Sequence, residues 1–266
     1  MKRTTWWSLR RWTNGQCWWA FAVLLFAGSA HAQSGSELRL GVLQVSSAEG
    51  TASAVSLGFL GVELERRTSI RADHRAAQVP LDAQRLMDFP LLVLATRSML
   101  PELTAKQVGI LSSWMSVGGM LLVDWQGGGG EIERFRVALE SWVHALFPGA
   151  TLVRIPKASV LYRSFYRVAE ATGRLHLVED LFGVQIGERW VMVVSFNDML
   201  STVHRRSDGR FSQDVLPGGE AQREQAIRLM VNLVVYALCL DYKDDRLHLD
   251  YLKSRRKWRL PDPTSP

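Results

Sequence analysis

The chain has 266 residues, 22% of them charged and 47% hydrophobic, with two cysteines. That allows one large or two small domains around a buried core and excludes wholesale disorder, a collagen-like repeat and a disulfide-stapled miniprotein. The formal charge of +6 sits at the ends: residues 1–32 hold Lys2, Arg3, Arg10 and Arg11 and no acid, the segment from Asp241 holds seven Lys/Arg against five Asp, and the body between them is neutral.

In chain order, the basic start leads into an apolar stretch over residues 18–27, then Gly28, Ser29 and the triplet Ala30-His31-Ala32. A charged start, a short apolar run and an Ala-x-Ala site are the order of a secretory signal peptide, and the run is short for a bilayer span of about 20 residues. Cleavage is expected after Ala32, with a retained anchor as the other reading. Arg10-Arg11 is only a weak match to a twin-arginine export signal. Cleavage removes Cys17 and leaves Cys239 alone, so the mature chain forms no internal disulfide. Export also disfavours nucleic acid as a partner.

After a polar linker, residues 38–45 read as a strand and residues 54–67 as a helix weakened by Gly58 and Gly61. Leu91-Leu92-Val93-Leu94-Ala95 is a continuous apolar run, which suits a strand covered on both faces. Thr104 and Gln107 have capping-box spacing, with Leu103 and Val108 placed as a hydrophobic staple, and the helix they open should stop at Gly118-Gly119. Met120-Leu121-Leu122-Val123-Asp124 reads as another buried strand, followed by four glycines at 127–130. The glycines lack the Gly-Lys-Ser/Thr ending of a phosphate loop and read as a turn. From Glu131, Ile132, Phe135, Leu139, Trp142, Val143 and Leu146 recur at helical spacing until Pro148-Gly149. Strand candidates follow at 151–155 and 190–195, and a last helix at 220–240 carries Arg228, Asn232 and Tyr236 as a polar stripe on an apolar cylinder. Strands alternating with helices imply a three-layer α/β domain over residues 33–240, with a mainly parallel sheet, helices on both faces and a flavodoxin-like arrangement. Residues 241–266 form a charged tail.

Several segments together resemble a bacterial family of secreted domains of unknown function whose fold is related to class I glutamine amidotransferases. They are Leu64-Glu65-Arg66-Arg67-Thr68, Phe89-Pro90-Leu91-Leu92, Gly118-Gly119 with the strand after it, Arg163-Ser164-Phe165-Tyr166, Ser195-Phe196-Asn197-Asp198, and the run from Arg228 to Leu238. The resemblance implies a glutamine amidotransferase-like fold and an envelope role beside MoxR-type ATPase systems and their membrane proteins, without supplying a reaction. Three places depart from the family's pattern: Thr96-Arg97-Ser98 stands where Gly-His-Gly is expected, Asp124-Trp125 where an Asp-Asp pair often sits, and Ala158-Ser159-Val160 where Asp-His-Pro is expected.

An amidotransferase-like reaction needs a thiolate on a sharp strand-to-helix turn. Cys239 instead lies near the end of an apolar helix and reads as a small buried hydrophobe. The five histidines after residue 32 show no metal-ligand spacing, and no cofactor is implied. What remains is Asp124 at the end of one strand with Asn197 and Asp198 at the end of another. Ligands of open α/β sheets bind beyond the carboxyl ends of the strands, so these residues are expected to line one surface crevice with His204, Arg163 or Arg97 nearby. The competing reading is that they cap turns or helices. Lys253, Arg255, Arg256, Lys257, Trp258 and Arg259 form a basic cluster suited to anionic lipid or to a solvated tail. The leading functional expectation is a non-catalytic binding or assembly module of the cell envelope that lacks the nucleophilic cysteine. The alternatives are a hydrolase using Asp124, Asp198 and His204, with or without a metal, and a membrane-surface structural component held by the tail.

Overall fold

The computed structural model describes residues 37–45, 51–81 and 83–255. The expected signal peptide and Arg256, Lys257, Trp258 and Arg259 lie outside these residues, and the side chains of Lys253 and Arg255 are likewise outside the description. The elements are β1 (Gly41–Gln44), α1 (Thr51–Arg67), β2 (Ala77–Pro80), α2 (Ala83–Leu86), β3 (Leu91–Thr96), α3 (Ala105–Ser116), β4 (Met120–Trp125), α4 (Ile132–Leu146), β5 (Val153–Arg154), β6 (Phe182–Ile186), β7 (Arg189–Ser195) and α5 (Gly219–Arg255). They build a mixed α/β fold around a seven-stranded sheet in the order β2-β1-β3-β4-β7-β6-β5. The pairs from β2 across to β7 are parallel, and β6 and β5 extend the far side antiparallel.

The apolar runs become strands because the sheet is covered on both faces. Successive side chains of a strand point to opposite sides, and here Leu91, Val93 and Ala95 pack in one core with Leu57, Leu60 and Leu64 of α1 and Leu229 and Leu233 of α5. Leu92 and Leu94 pack in the other, with Leu111 and Trp114 of α3 and Phe135, Leu139 and Val143 of α4. Helix α3 starts as its sequence dictates: the Gln107 amide donates to Thr104 Oγ1 at 3.3 Å, and the Thr104 amide donates back to Gln107 Oε1 at 2.9 Å. It stops at Ser116, ahead of Gly118 at φ 131°.

Two strands carry little sequence signal. β2 is four residues of an edge strand closed by Pro80, and β6 is a partner strand interrupted by Gly183 and joined to β7 through Gly187 at φ 60°. The expected strand at 151–155 shrinks to Val153–Arg154. α5 runs past its expected end at Leu240 to Arg255, so the charged segment begins as helix. Among the described residues, no helix is long and apolar enough to cross a membrane.

Charged side chains tie α1 to α5. Buried Glu63 accepts from Arg67 Nε at 2.9 Å and from Arg205 at 3.1 Å. The fork of Arg67 also grips both oxygens of Glu224, at 2.8 and 2.7 Å, and Arg228 adds a further contact to Glu224 at 2.8 Å. Arg67, more than any other neighbour, holds the Glu224 carboxyl down at about 2. The polar stripe of α5 ties it to other segments: Asn232 Oδ1 accepts the amides of Phe165 and Tyr166 at 3.0 and 2.7 Å, and the Tyr236 hydroxyl accepts the Trp190 amide of β7 at 3.0 Å.

Gly58 weakens the propensity of α1 for a reason that only packing reveals. The chain leading into β2 crosses the helix there, and a Cβ on residue 58 would stand 2.3 Å from the His74 carbonyl oxygen. Gly58→Ala is therefore expected to cost about 1–3 kcal/mol despite alanine's higher helix propensity. Gly109→Ala in α3, with nothing within 4 Å of the new atom, should instead stabilise by up to about 1 kcal/mol. Urea midpoints of the two variants, moving in opposite directions, check the pair.

Candidate functional site

The apolar register of β4 ends in Asp124, which is fully buried. Its two carboxylate oxygens accept the amides of Met199 and Leu200, each at 2.8 Å. These amides open the 3-10 turn Leu200–Val203 that follows β7, so the carboxylate is a cap of the kind Asp supplies at helix starts. Burial, reinforced by the charge of Asp198, pushes Asp124 up to about 7, against the opposing pull of the two amides and of the Gln126 side chain.

The residues that end β7 are equally buried. Asn197 Oδ1 accepts the amides of Leu177 and Val178 at 2.8 and 3.0 Å, while Nδ2 donates to the carbonyls of Ala171 and Val178 at 3.2 and 2.6 Å. Asp198 takes the left-handed backbone at φ 55° and accepts from Arg174 Nε through one oxygen. Its other oxygen, Oδ1, is buried without a hydrogen-bond partner. The expectation that Asp124, Asn197 and Asp198 line a surface crevice is thus corrected. The segment around residues 171–178 folds over the end of β7, with the amides of Arg174 and Leu175 donating to the carbonyls of Asp198 and Asn197 at 2.9 and 3.0 Å. The capping reading describes Asp124 and Asn197, whereas Asp198 sits in a left-handed turn and pairs with Arg174. Arg163 is exposed after the 3-10 turn Val160–Tyr162, which packs on α5, and is not brought to the others. Cys239, expected inside, is free and exposed. Two residues beyond buried Ala237, it faces the opposite side of the helix.

An opening does lie beyond the carboxyl ends of the strands, displaced toward β1 and β3. The chain leaves β1 for β2 on one side and returns to β3 on the other, and such a change of direction leaves a gap above the sheet. A cavity of about 410 Å³ there is lined by Thr51, Ala52 and Ser53 of α1, by Ala95, Thr96 and Arg97 at the end of β3, and by Gln126 after β4. A smaller one, about 100 Å³, shares Ala52, Ser53, Arg97 and Gln126 and adds Ser56, Ser201, His204 and Gln213. Of the residues expected from sequence, only His204 and Arg97 reach this crevice.

His204 is set by the residues around the Leu200–Val203 turn. Asp124 caps the turn's start, and the buried Arg223 donates to the carbonyls of Thr202 and Gln213 at 2.6 and 2.7 Å. Ser56 gives its proton to the Ala52 carbonyl at 3.0 Å, so at 2.8 Å it accepts from His204 Nδ1. The edge of His204 also meets the Phe59 ring. The serines and Gln126 escape a sequence reading because their types are common in turns and helix starts; the only hint was the i, i+3 spacing of Ser53 and Ser56 on one helix face. Among the described residues, no group of three or more His, Cys, Asp or Glu side chains could hold a metal ion.

A family model described as Domain of unknown function (DUF4159) matches residues 39–238. No curated protein matches the chain.

Asp124→Ala leaves two buried amides without an acceptor and is expected to cost about 2–4 kcal/mol. A second outcome concerns pH. Asp124 titrates at about 7 when folded and at 3.8 as an isolated group, so the folded chain takes up the proton first and gains stability as pH falls from about 7 toward 3.8. Asp124→Asn, which does not titrate, should lack that gain. Denaturant midpoints of both proteins, measured at about pH 8 and about pH 5, test it through the change in their difference.

Proposed function

The chain belongs to the DUF4159 family of domains of unknown function, and we propose that it is a non-catalytic binding or assembly module of the bacterial cell envelope. In this reading its scaffold is flavodoxin-like and glutamine amidotransferase-like, without the nucleophilic cysteine. The carrying observation is the polar crevice above β1 and β3, while the candidate catalytic carboxylates Asp124 and Asp198 are engaged elsewhere. A parallel run of strands with one change of direction supports the scaffold assignment. Cys239 sits on the exposed side of α5, far along the chain from any strand-to-helix turn. The burial of Asp124 and Asp198 favours binding over hydrolysis, since a general acid or base must reach its substrate.

The envelope assignment rests on the signal-peptide pattern of residues 1–32. The partners proposed are envelope proteins of MoxR-type ATPase systems, with peripheral contact to anionic lipid through the basic cluster from Lys253 to Arg259. The exported form should begin at Gln33, which intact mass of the periplasmic protein checks.

The decisive experiment fills the crevice. Ala52 is exposed and lines both cavities, so Ala52→Trp should abolish complementation of a deletion strain while changing stability by no more than about 0.5 kcal/mol. Full complementation by a folded Ala52→Trp protein would remove the crevice from the function.

A further inference from the structure

Two hydroxyls in the crevice are idle. Ser53 and Ser201 are each only 8% exposed, and among the described residues neither side chain has a hydrogen-bond partner. Their oxygens keep some accessible surface, unlike the enclosed Oδ1 of Asp198, and so remain open to a ligand. Both serines line the smaller cavity, one from α1 and the other from the turn that Asp124 caps.

Other donors surround them. Thr51, Ala52 and Ser53 form the first turn of a 17-residue helix, whose leading amides have no acceptor within the helix and whose dipole is positive at that end. Exposed Arg97 reaches the rim from the end of β3. Neither cavity is lined by an acidic side chain among the described residues. Asp124 turns both oxygens onto the amides of Met199 and Leu200, and Asp198 gives one oxygen to Arg174. Donors therefore converge from three elements on one space, which suits an anion whose oxygens spread in three dimensions better than a planar carboxylate. A tetrahedral oxyanion has an oxygen for each.

We propose that the crevice is a phosphate site, in which the first turn of α1, the hydroxyls of Ser53 and Ser201 and the guanidinium of Arg97 hold a phosphate group, free or as the monoester of a small molecule. The proposal rests on the crevice being the binding site of the module. The larger cavity of about 410 Å³ gives room for the rest of a monoester, within the usual range of small-molecule sites.

Calorimetric titration of the full chain with inorganic phosphate, phenyl phosphate and acetate tests it, with melting temperature as a second readout. The expected result is saturable binding of inorganic phosphate with a rise in melting temperature, and weakening by about tenfold or more in Arg97→Ala and in the Ser53→Ala/Ser201→Ala double variant. Tighter binding of phenyl phosphate identifies the monoester as the ligand form, and equal or weaker binding identifies free phosphate. No saturable binding, undiminished binding by folded Arg97→Ala, or acetate bound as tightly as phosphate would overturn the phosphate assignment. If Ala52→Trp loses complementation while the wild-type chain ignores phosphate, the crevice keeps its role and this ligand class is wrong. If Ala52→Trp complements fully, the underlying reading fails instead.

Discussion

The contact between Asp124 and the amides of Met199 and Leu200 fixes how the two central parallel strands end. A carboxylate removed from water must find donors or give up its charge. Asp124 finds them in the start of a turn that would otherwise leave those two amides bare. The cap thereby sets the position of everything the turn carries, including Ser201 and His204. It also locks the exit of β4 to the exit of β7, the point at which the sheet passes from its parallel half to its antiparallel edge.

Around that cap the fold relies on long-range polar tethers rather than on apolar packing alone. Asn197 holds the segment at 171–178, Asn232 holds Phe165 and Tyr166, and Arg223 holds the Leu200–Val203 turn and the Gln213 backbone. Each tether spends a buried side chain on backbone groups that no helix or strand satisfies, as buried irregular segments require. The connections after β5 and β7 hold little regular structure, and these side chains supply what a ladder of backbone bonds supplies elsewhere. Glu63, Arg67 and Glu224 do comparable work between α1 and α5, on the sheet face that also carries the turn.

This division of labour explains the character of the crevice. Acidic groups are drawn inward to cap and tether, and the exposed rim is left to hydroxyls, an amide side chain, an arginine and a helix start. Such a surface favours an acceptor-rich ligand and, among the described residues, offers no free carboxylate for acid or base work. It also places His204 at the rim with one ring nitrogen already held by Ser56.

The sequence by itself determined the class of fold and the pieces with strong local grammar. The capping box at Thr104, the stop at Gly118 and the continuous apolar runs of β3 and β4 follow from backbone hydrogen bonding and from burial on both faces, and each is visible in a few adjacent residues. β2 and β6 were not, because an edge strand closed by Pro80 and a glycine-bearing strand owe their existence to the partner they pair with. For the site, sequence placed Asp124, Asn197 and Asp198 at strand ends and left their direction open. Tertiary structure turned all three inward: Asp124 and Asn197 cap amides of the turn at 199–203 and of the chain at 177–178, and Asp198 pairs with Arg174. Cys239 went the other way, to the exposed side of its helix, because the core that receives Ala237 and Leu233 lies across the axis. The crevice of Ser53, Ser201 and Arg97 was decided only in three dimensions, where residues separated by more than a hundred positions meet through the order of strands in the sheet.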